Sequence, residues 1–249
     1  MSEIVIDHFS KVDEPDLFFD GERYTVKGET SKDEYPNVYE GLTEEEMKKG
    51  YHINYYTFRK FFELLRKFEN PTIVETGSSG WSVTCSSLLF DRYVNKYGGD
   101  FSTVDFTPYT INRLKPMLSP LSEAHCGDSV EFLKNFPRQI DAAYLDSYDI
   151  DWLNYEPAAQ HGKKEMEALL PHLKDKSIIL IDDTPALPLF LPFRGETQTS
   201  VGDLFEITES MPGKGMYVEE VLKANSDKFR YTKVLHMYAV IFEVERIPN

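Results

Sequence analysis

Carboxylates recur in this chain at one kind of place. Glu75, Asp105, Asp128, Asp146 and the pair Asp182-Asp183 each stand where a short apolar run ends. If those runs are parallel strands, the acids share one edge, the edge outside which α/β sheets bind ligands. One acid at a strand end carries little information, because aspartate is common where strands stop. Five ends in succession form a pattern. Asp105, 28 residues beyond Gly77, is spaced to accept hydrogen bonds from both hydroxyls of a ribose. Glu75 adjoins the turn Thr76-Gly77-Ser78-Ser79-Gly80, whose glycines let a ligand approach the backbone. Gly77 and Gly80 are three apart and do not match the G-x-G-x-x-G dinucleotide pattern. A carboxylate beside this turn would repel a pyrophosphate and attract an ammonium group. The ligand so described is a nucleoside carrying an amino acid, rather than NAD.

These residues need a sheet behind them. A strand over 72–75 leads through the turn to a helix over 82–97. A strand over 102–104 precedes a helix near 109–118, and a strand over 122–126 precedes a helix over 129–135. A strand over 140–145 precedes an irregular insert, 147–158, and a helix over 160–170. A fifth strand, 177–181, ends at the aspartate pair. This alternation predicts a parallel sheet covered by helices on both faces, with right-handed crossovers. After a helix at 217–225, the runs 229–235 and 237–246 read as an antiparallel pair appended to the sheet. The expected fold class is therefore α/β: Rossmann-like, doubly wound, with a mostly parallel seven-stranded sheet and a C-terminal antiparallel strand pair.

Upstream, Thr43-Glu44-Glu45-Glu46 reads as a capping box. It opens a helix that continues, with a break near Gly50, to Phe68. Phe58, Phe61, Phe62, Leu65 and Phe68 fall on one helical face and are expected in the core. Residues 1–42 form an acidic N-terminal arm ahead of a domain spanning 43–249. The segment 184–216, punctuated by Pro185, Pro188, Pro192 and Pro212, is long for a plain connection and is expected to cover substrate.

Composition narrows the function classes. The chain has 249 residues, with 27 basic and 42 acidic side chains and a net charge of −15. Residues 1–50 alone hold 14 acids against 6 bases. That balance repels phosphate, so no nucleic-acid partner is expected. No apolar run reaches the ~20 residues that span a bilayer, so no membrane insertion is expected. The N-terminus lacks a basic and apolar leader pattern, and the location is read as cytoplasmic. Two cysteines, Cys85 and Cys126, make no disulfide framework and are expected to be buried thiols.

Taken together, VETGSSGWS, STVDF, HCGDS, AAYLDSYD and SIILIDDTP resemble the class I S-adenosylmethionine-dependent methyltransferases over roughly residues 55–245. The resemblance implies that Gly77, Ser78 and Gly80 line the methionine end of the cofactor with Glu75 nearby. It implies that Asp105 holds the ribose, and that Asp128 and Ser129 sit beside the adenine. Within the family the chain is similar to the metal-dependent O-methyltransferases of the catechol and macrocin types. That similarity implies a Mg²⁺ ion bound by Asp146, Asp182 and Asp183, which would lower the pKa of a substrate hydroxyl and aim it at the methyl group. Asp146 would also adjoin the cofactor. The position three residues past Asp146, where the catechol type keeps a lysine base, is Asp149.

The run LDSYDIDW, followed by AAQHGKKEMEALLPHL, resembles methyltransferases that modify glycans. That makes His161 the candidate general base, with Asp149 and Asp151 as fallbacks; His125, His172 and His236 read as structural. Arg194, Gln198 and Lys214 are polar candidates toward substrate, and Tyr148 and Trp152 could stack on a ring. The expected activity is Mg²⁺-assisted O-methylation of a sugar or glycan hydroxyl, such as that of a deoxyhexose like rhamnose. The alternatives are a small-molecule phenol or catechol O-methyltransferase, an NAD-linked oxidoreductase and a non-catalytic module that binds the cofactor. A homo-oligomer is left open.

Overall fold

The computed structural model describes residues 54–78, 86–151, 154–186 and 212–248. The capping box at Thr43, the acidic arm, Gly80, Cys85, Trp152, Arg194 and Gln198 lie outside the described residues.

The parallel part of the chain alternates as its apolar runs require. Helix α1 (Tyr55–Leu65) leads to β1 (Thr72–Thr76), α2 (Ser86–Tyr97), β2 (Asp100–Asp105) and α3 (Pro108–Leu114). Then come β3 (Ser122–Cys126), α4 (Ser129–Lys134), β4 (Ile140–Leu145), α5 (Glu156–Leu169) and β5 (Leu173–Ile181). The chain closes with α6 (Val218–Ala224), β6 (Phe229–His236) and β7 (Val240–Arg246). The sheet order is β3-β2-β1-β4-β5-β7-β6. The pairs β1·β2, β1·β4, β2·β3 and β4·β5 are parallel, and β7 runs antiparallel between β5 and β6. The expected fold class is the one observed.

Burial follows the period of two along each strand. On β4, Ala142 and Tyr144 face a layer built from α1 and α2. Ala143 and Leu145 face the opposite layer, with Met166 and Leu169 of α5 and Val221 of α6. The aromatic stripe of α1 enters the core as its spacing requires. Phe58, Phe61, Phe62 and Leu65 are buried against Phe90 and Tyr144, while Phe68 packs at the edge. At the amino ends of the strands, Asp141 ties three of them together. It accepts hydrogen bonds from the Thr72 amide at 2.8 Å and from Lys174 Nζ at 2.6 Å.

Several boundaries differ from the sequence expectation, each for a local reason. Helix α5 starts at Glu156, inside the stretch read as irregular, because Pro157 sits in its first turn, where a missing N–H costs nothing. Helix α3 ends at Leu114 and tightens into a 3₁₀ turn, Lys115–Met117, since Pro116 cannot continue the α-helical ladder. Strand β5 begins at Leu173 rather than 177. The run Lys174-Asp175-Lys176 hides the strand in the sequence, and a register shift near Ile140 lets it pair.

Candidate functional site

The carboxyl ends of β1, β2, β4 and β5 and the loop after β3 bring the predicted acids to one edge. Glu75 is completely buried in β1. It accepts hydrogen bonds from the hydroxyls of Ser86 and Ser87, at the start of the described part of α2, and from Thr103 at 2.7 Å. Burial pushes its carboxyl up to about 7, against the three hydroxyl bonds that favour the charged form. Gly77 has φ +84°, and a side chain there would stand 2.3 Å from the Asp146 carbonyl. The turn after β1 therefore presses on the end of β4. The Ser78 hydroxyl bonds to Thr103 at 2.6 Å, and the residue is completely buried. Thr76 Oγ1 is buried beside this turn without a hydrogen-bond partner among the described residues, a polar atom that a bound ligand can satisfy.

Farther along the edge, Asp105 accepts from the Thr107 amide at 2.6 Å. Asp128 caps α4, accepting from the Glu131 amide at 2.9 Å. Next to it, Ser129 joins a network that ties α4, the segment after β4 and α5 together. His161 Nε2 lies 3.0 Å from Ser129 Oγ, Ser147 Oγ lies 3.3 Å from the same atom, and Ser147 donates to Glu165 at 2.6 Å. The Tyr148 ring lies over His161 at 5.3 Å, and Tyr148 holds a left-handed φ of 69°. His161 thus meets Ser129, Ser147, Glu165 and Tyr148 on the side expected to hold adenine. Asp149 is exposed on the segment between β4 and α5.

Asp146, Asp182 and Asp183 do come together, but around a lysine. Lys214 Nζ lies 2.7 Å from Asp146 Oδ1 and 2.9 Å from Asp183 Oδ2, and it is itself buried. The other oxygens also have protein donors. Tyr144 donates to Asp146 Oδ2 at 3.1 Å and to Asp182 Oδ2, and Tyr238 donates to Asp183 Oδ1 at 2.7 Å. Asn54 reaches both Asp182 oxygens, at 2.9 and 3.0 Å, and the Asp183 amide reaches Asp182 Oδ1. Burial, with the neighbouring aspartates, pushes Asp146 well above the usual carboxylate range despite Lys214, and raises Asp182. Those carboxylates in turn hold the Lys214 ammonium charged, above the usual lysine value.

The Mg²⁺ expectation finds no ready site: the aspartate oxygens already have protein donors, and among the described residues no group of three or more metal-ligating side chains is arranged to hold an ion. Two other expectations are corrected by this geometry. Lys214, read as a contact to substrate, is buried and paired. Cys126, read as buried, is exposed at the end of the edge strand β3. His236 does read as structural: burial lowers it to about 4, and its Nε2 lies 2.9 Å from the Thr184 carbonyl.

No protein-family model matches the sequence, and no curated protein matches it. Solved structures do. The MycE methyltransferase of the mycinamycin pathway, solved in complex with Mg and SAH, superposes with a TM-score of 0.51 at 16% identity. The match covers 80% of this chain and 52% of MycE. This chain has the methyltransferase fold. The pyocyanin biosynthetic protein PhzM matches at a TM-score of 0.45 and 12% identity, over 78% of this chain and 56% of its own. The chain thus spans about half the length of these two proteins.

Within a methyltransferase fold the site can be matched to a cofactor on its own geometry. The orphaned Thr76 hydroxyl, the close turn at Gly77 and the buried Glu75 lie together at the end of β1. Asp105 and the Asp128-Ser129 pair follow along the same edge. A nucleoside with an amino-acid tail fits that sequence of groups. Sequence reasoning missed Asn54, Tyr144 and Tyr238 as partners of the aspartates. Asn54 and Tyr238 are lone polar residues far along the chain from the acids they serve, and Tyr144, two residues before Asp146, reads as part of the apolar run of β4.

Proposed function

We propose that this chain is an S-adenosylmethionine-dependent O-methyltransferase acting on a hydroxyl of a sugar or glycan. The observation that carries the reading is the shared edge. Glu75, Asp105, Asp128, Asp146 and Asp182-Asp183 stand at the carboxyl side of five successive strands in a sheet ordered β3-β2-β1-β4-β5-β7-β6. MycE, similar in fold, was solved with SAH, which supports the choice of cofactor. The antiparallel β7 inserted between β5 and β6 departs from the dinucleotide oxidoreductases, whose mostly parallel sheet runs in the order 3-2-1-4-5-6.

S-adenosylmethionine supplies an electrophilic methyl group on a sulfonium. The chain's own residues do the rest. Glu75 and the backbone of Gly77 and Ser78 hold the amino-acid end, Asp105 takes the ribose hydroxyls, and Asp128 and Ser129 border the adenine. His161 is assigned to steadying that adenine-side network through Ser129 and Glu165. The acceptor oxygen gains the methyl carbon, the carbon–sulfur pair stays on sulfur, and the hydroxyl proton passes to Asp149, the exposed carboxylate on the segment between β4 and α5. Holding the oxygen in line with the methyl group supplies most of the remaining acceleration. Mg²⁺, implied by the resemblance, is given no step, because the oxygens that would bind it already accept from Lys214, Tyr144, Asn54 and Tyr238.

For the acceptor, the support is the likeness of the Asp146–His161 stretch to glycan-modifying enzymes and the exposed ring of Tyr148, a face on which a sugar can lie. Incubation with labelled S-adenosylmethionine and either a rhamnose-bearing glycan or a catechol tests it. Label in the glycan alone is the expected result. Label in the catechol alone would overturn the sugar assignment, and label in neither, with no cofactor binding, would overturn the enzyme reading.

A further inference from the structure

We infer that Lys214 is the resident cation of the Asp146–Asp182–Asp183 cluster, seated by the fold where a divalent metal would otherwise bridge the carboxylates. Its consequence, methyl transfer without a divalent metal, rests on the functional reading above; the seat itself does not.

The ammonium spans two carboxylates on two different strand ends, at 2.7 Å from Asp146 and 2.9 Å from Asp183, and lies 3.3 Å from the Asp146 carbonyl. A surface lysine that had drifted inward would show no preparation for this position, yet the backbone is shaped for it. Gly213 has φ +82°, and a side chain there would fall 1.9 Å from the Asp183 carbonyl. Gly162 of α5 leaves room for the Lys214 carbonyl, which a side chain would meet at 2.3 Å. The Lys214 amide donates to the Asp183 carbonyl at 3.1 Å, and the Gly215 amide donates to Thr184 Oγ1 at 2.9 Å. The segment carrying the lysine is therefore bonded to the same strand end as the aspartates it neutralises.

A dication entering this cluster would need several open oxygens. It would also have to expel a buried ammonium from its pairing, leaving that charge without a partner. One cation in the cluster excludes the other.

The test counts Mn²⁺ ions bound to the full chain by the loss of the free-ion EPR signal. It uses the wild type and Lys214→Met, each with and without Asp183→Asn. Surface acids bind some Mn²⁺ in every sample, so the informative quantity is the part that Asp183→Asn removes. The expected result is no such part in the wild type and one added ion in Lys214→Met, bound roughly tenfold or more tighter than to the surface acids. A wild-type ion that Asp183→Asn removes would overturn the inference. So would a folded Lys214→Met that gains none, because the carboxylates would then not be a cation site that lysine fills. Thermal unfolding adds a check: melting that is unchanged between MgCl2 and EDTA supports the inference, and a Mg²⁺-dependent rise that Asp183→Asn removes overturns it. Failure of S-adenosylhomocysteine to bind would leave these results standing while removing the methyl-transfer reading.

Discussion

Replacing Glu75 by glutamine should make this protein more stable at alkaline pH while weakening its cofactor site. Glu75 is completely buried, and its carboxyl is raised from 4.5 to about 7 because burial outweighs three hydroxyl hydrogen bonds. A folded state that holds a proton to higher pH than the unfolded chain loses stability as pH rises between those two values. The full loss, above pH ~7, is about 3 kcal/mol at 1.4 kcal/mol per decade. At pH 5.5 only about 1.4 kcal/mol of it has been incurred. Glutamine has the same shape, bears no charge, and can both accept from and donate to the hydroxyls of Ser86, Ser87 and Thr103. Urea unfolding of both proteins at pH 5.5 and 8.5 should show the advantage of Glu75→Gln growing by about 2 kcal/mol across that interval. The same substitution should weaken S-adenosylhomocysteine binding by roughly tenfold, since an ammonium group loses its carboxylate. Parallel pH dependences in the two proteins would refute the reasoning, because Glu75 would then titrate alike in both states.

Other expectations follow from single contacts. Gly77→Ala should cost about 2 kcal/mol or more and abolish cofactor binding, since its methyl would meet the Asp146 carbonyl at 2.3 Å with φ at +84°; calorimetry and melting check both parts. Asp141→Asn removes the charge that pairs with Lys174 at the far ends of the strands. It should cost about 2–3 kcal/mol in urea unfolding and leave S-adenosylhomocysteine affinity unchanged. His161→Gln should weaken S-adenosylhomocysteine by about 1 kcal/mol through the Ser129–Glu165 network. It should leave the pH profile of turnover unmoved, whereas loss of the acidic limb of that profile would make His161 the base after all.

The fold was legible because its signals are local and repeated. Apolar runs closed by acids mark the strands, and the spacing of Phe58, Phe61, Phe62 and Leu65 marks a buried helix face. The misjudged boundaries lie where one local rule met another. Pro157 begins a helix that the surrounding polar residues disguised, and Lys174-Asp175-Lys176 sits in a strand by virtue of its neighbours rather than its own character. The gathering of Asp146, Asp182 and Asp183 was also legible. What neutralises them was not, because charge balance in a cluster depends on residues that arrive from elsewhere in the chain. Lys214 lies 31 residues beyond Asp183 in the sequence, in a stretch with no periodicity, and Asn54 comes from the opposite direction. The glycines beside Lys214 were visible as turn residues, but their purpose is defined only by what they pass, the Asp183 carbonyl for Gly213 and the Thr184 side chain for Gly215.

The central claim is that the edge from Glu75 to Asp128 binds S-adenosylmethionine and its product. Isothermal titration of the full chain with S-adenosylhomocysteine tests it most directly. The account predicts one molecule bound per chain, with Asp105→Ala weakening it by roughly a hundredfold as the ribose hydroxyls lose their acceptor. No binding by the wild type, or binding that Asp105→Ala leaves unchanged, would contradict it.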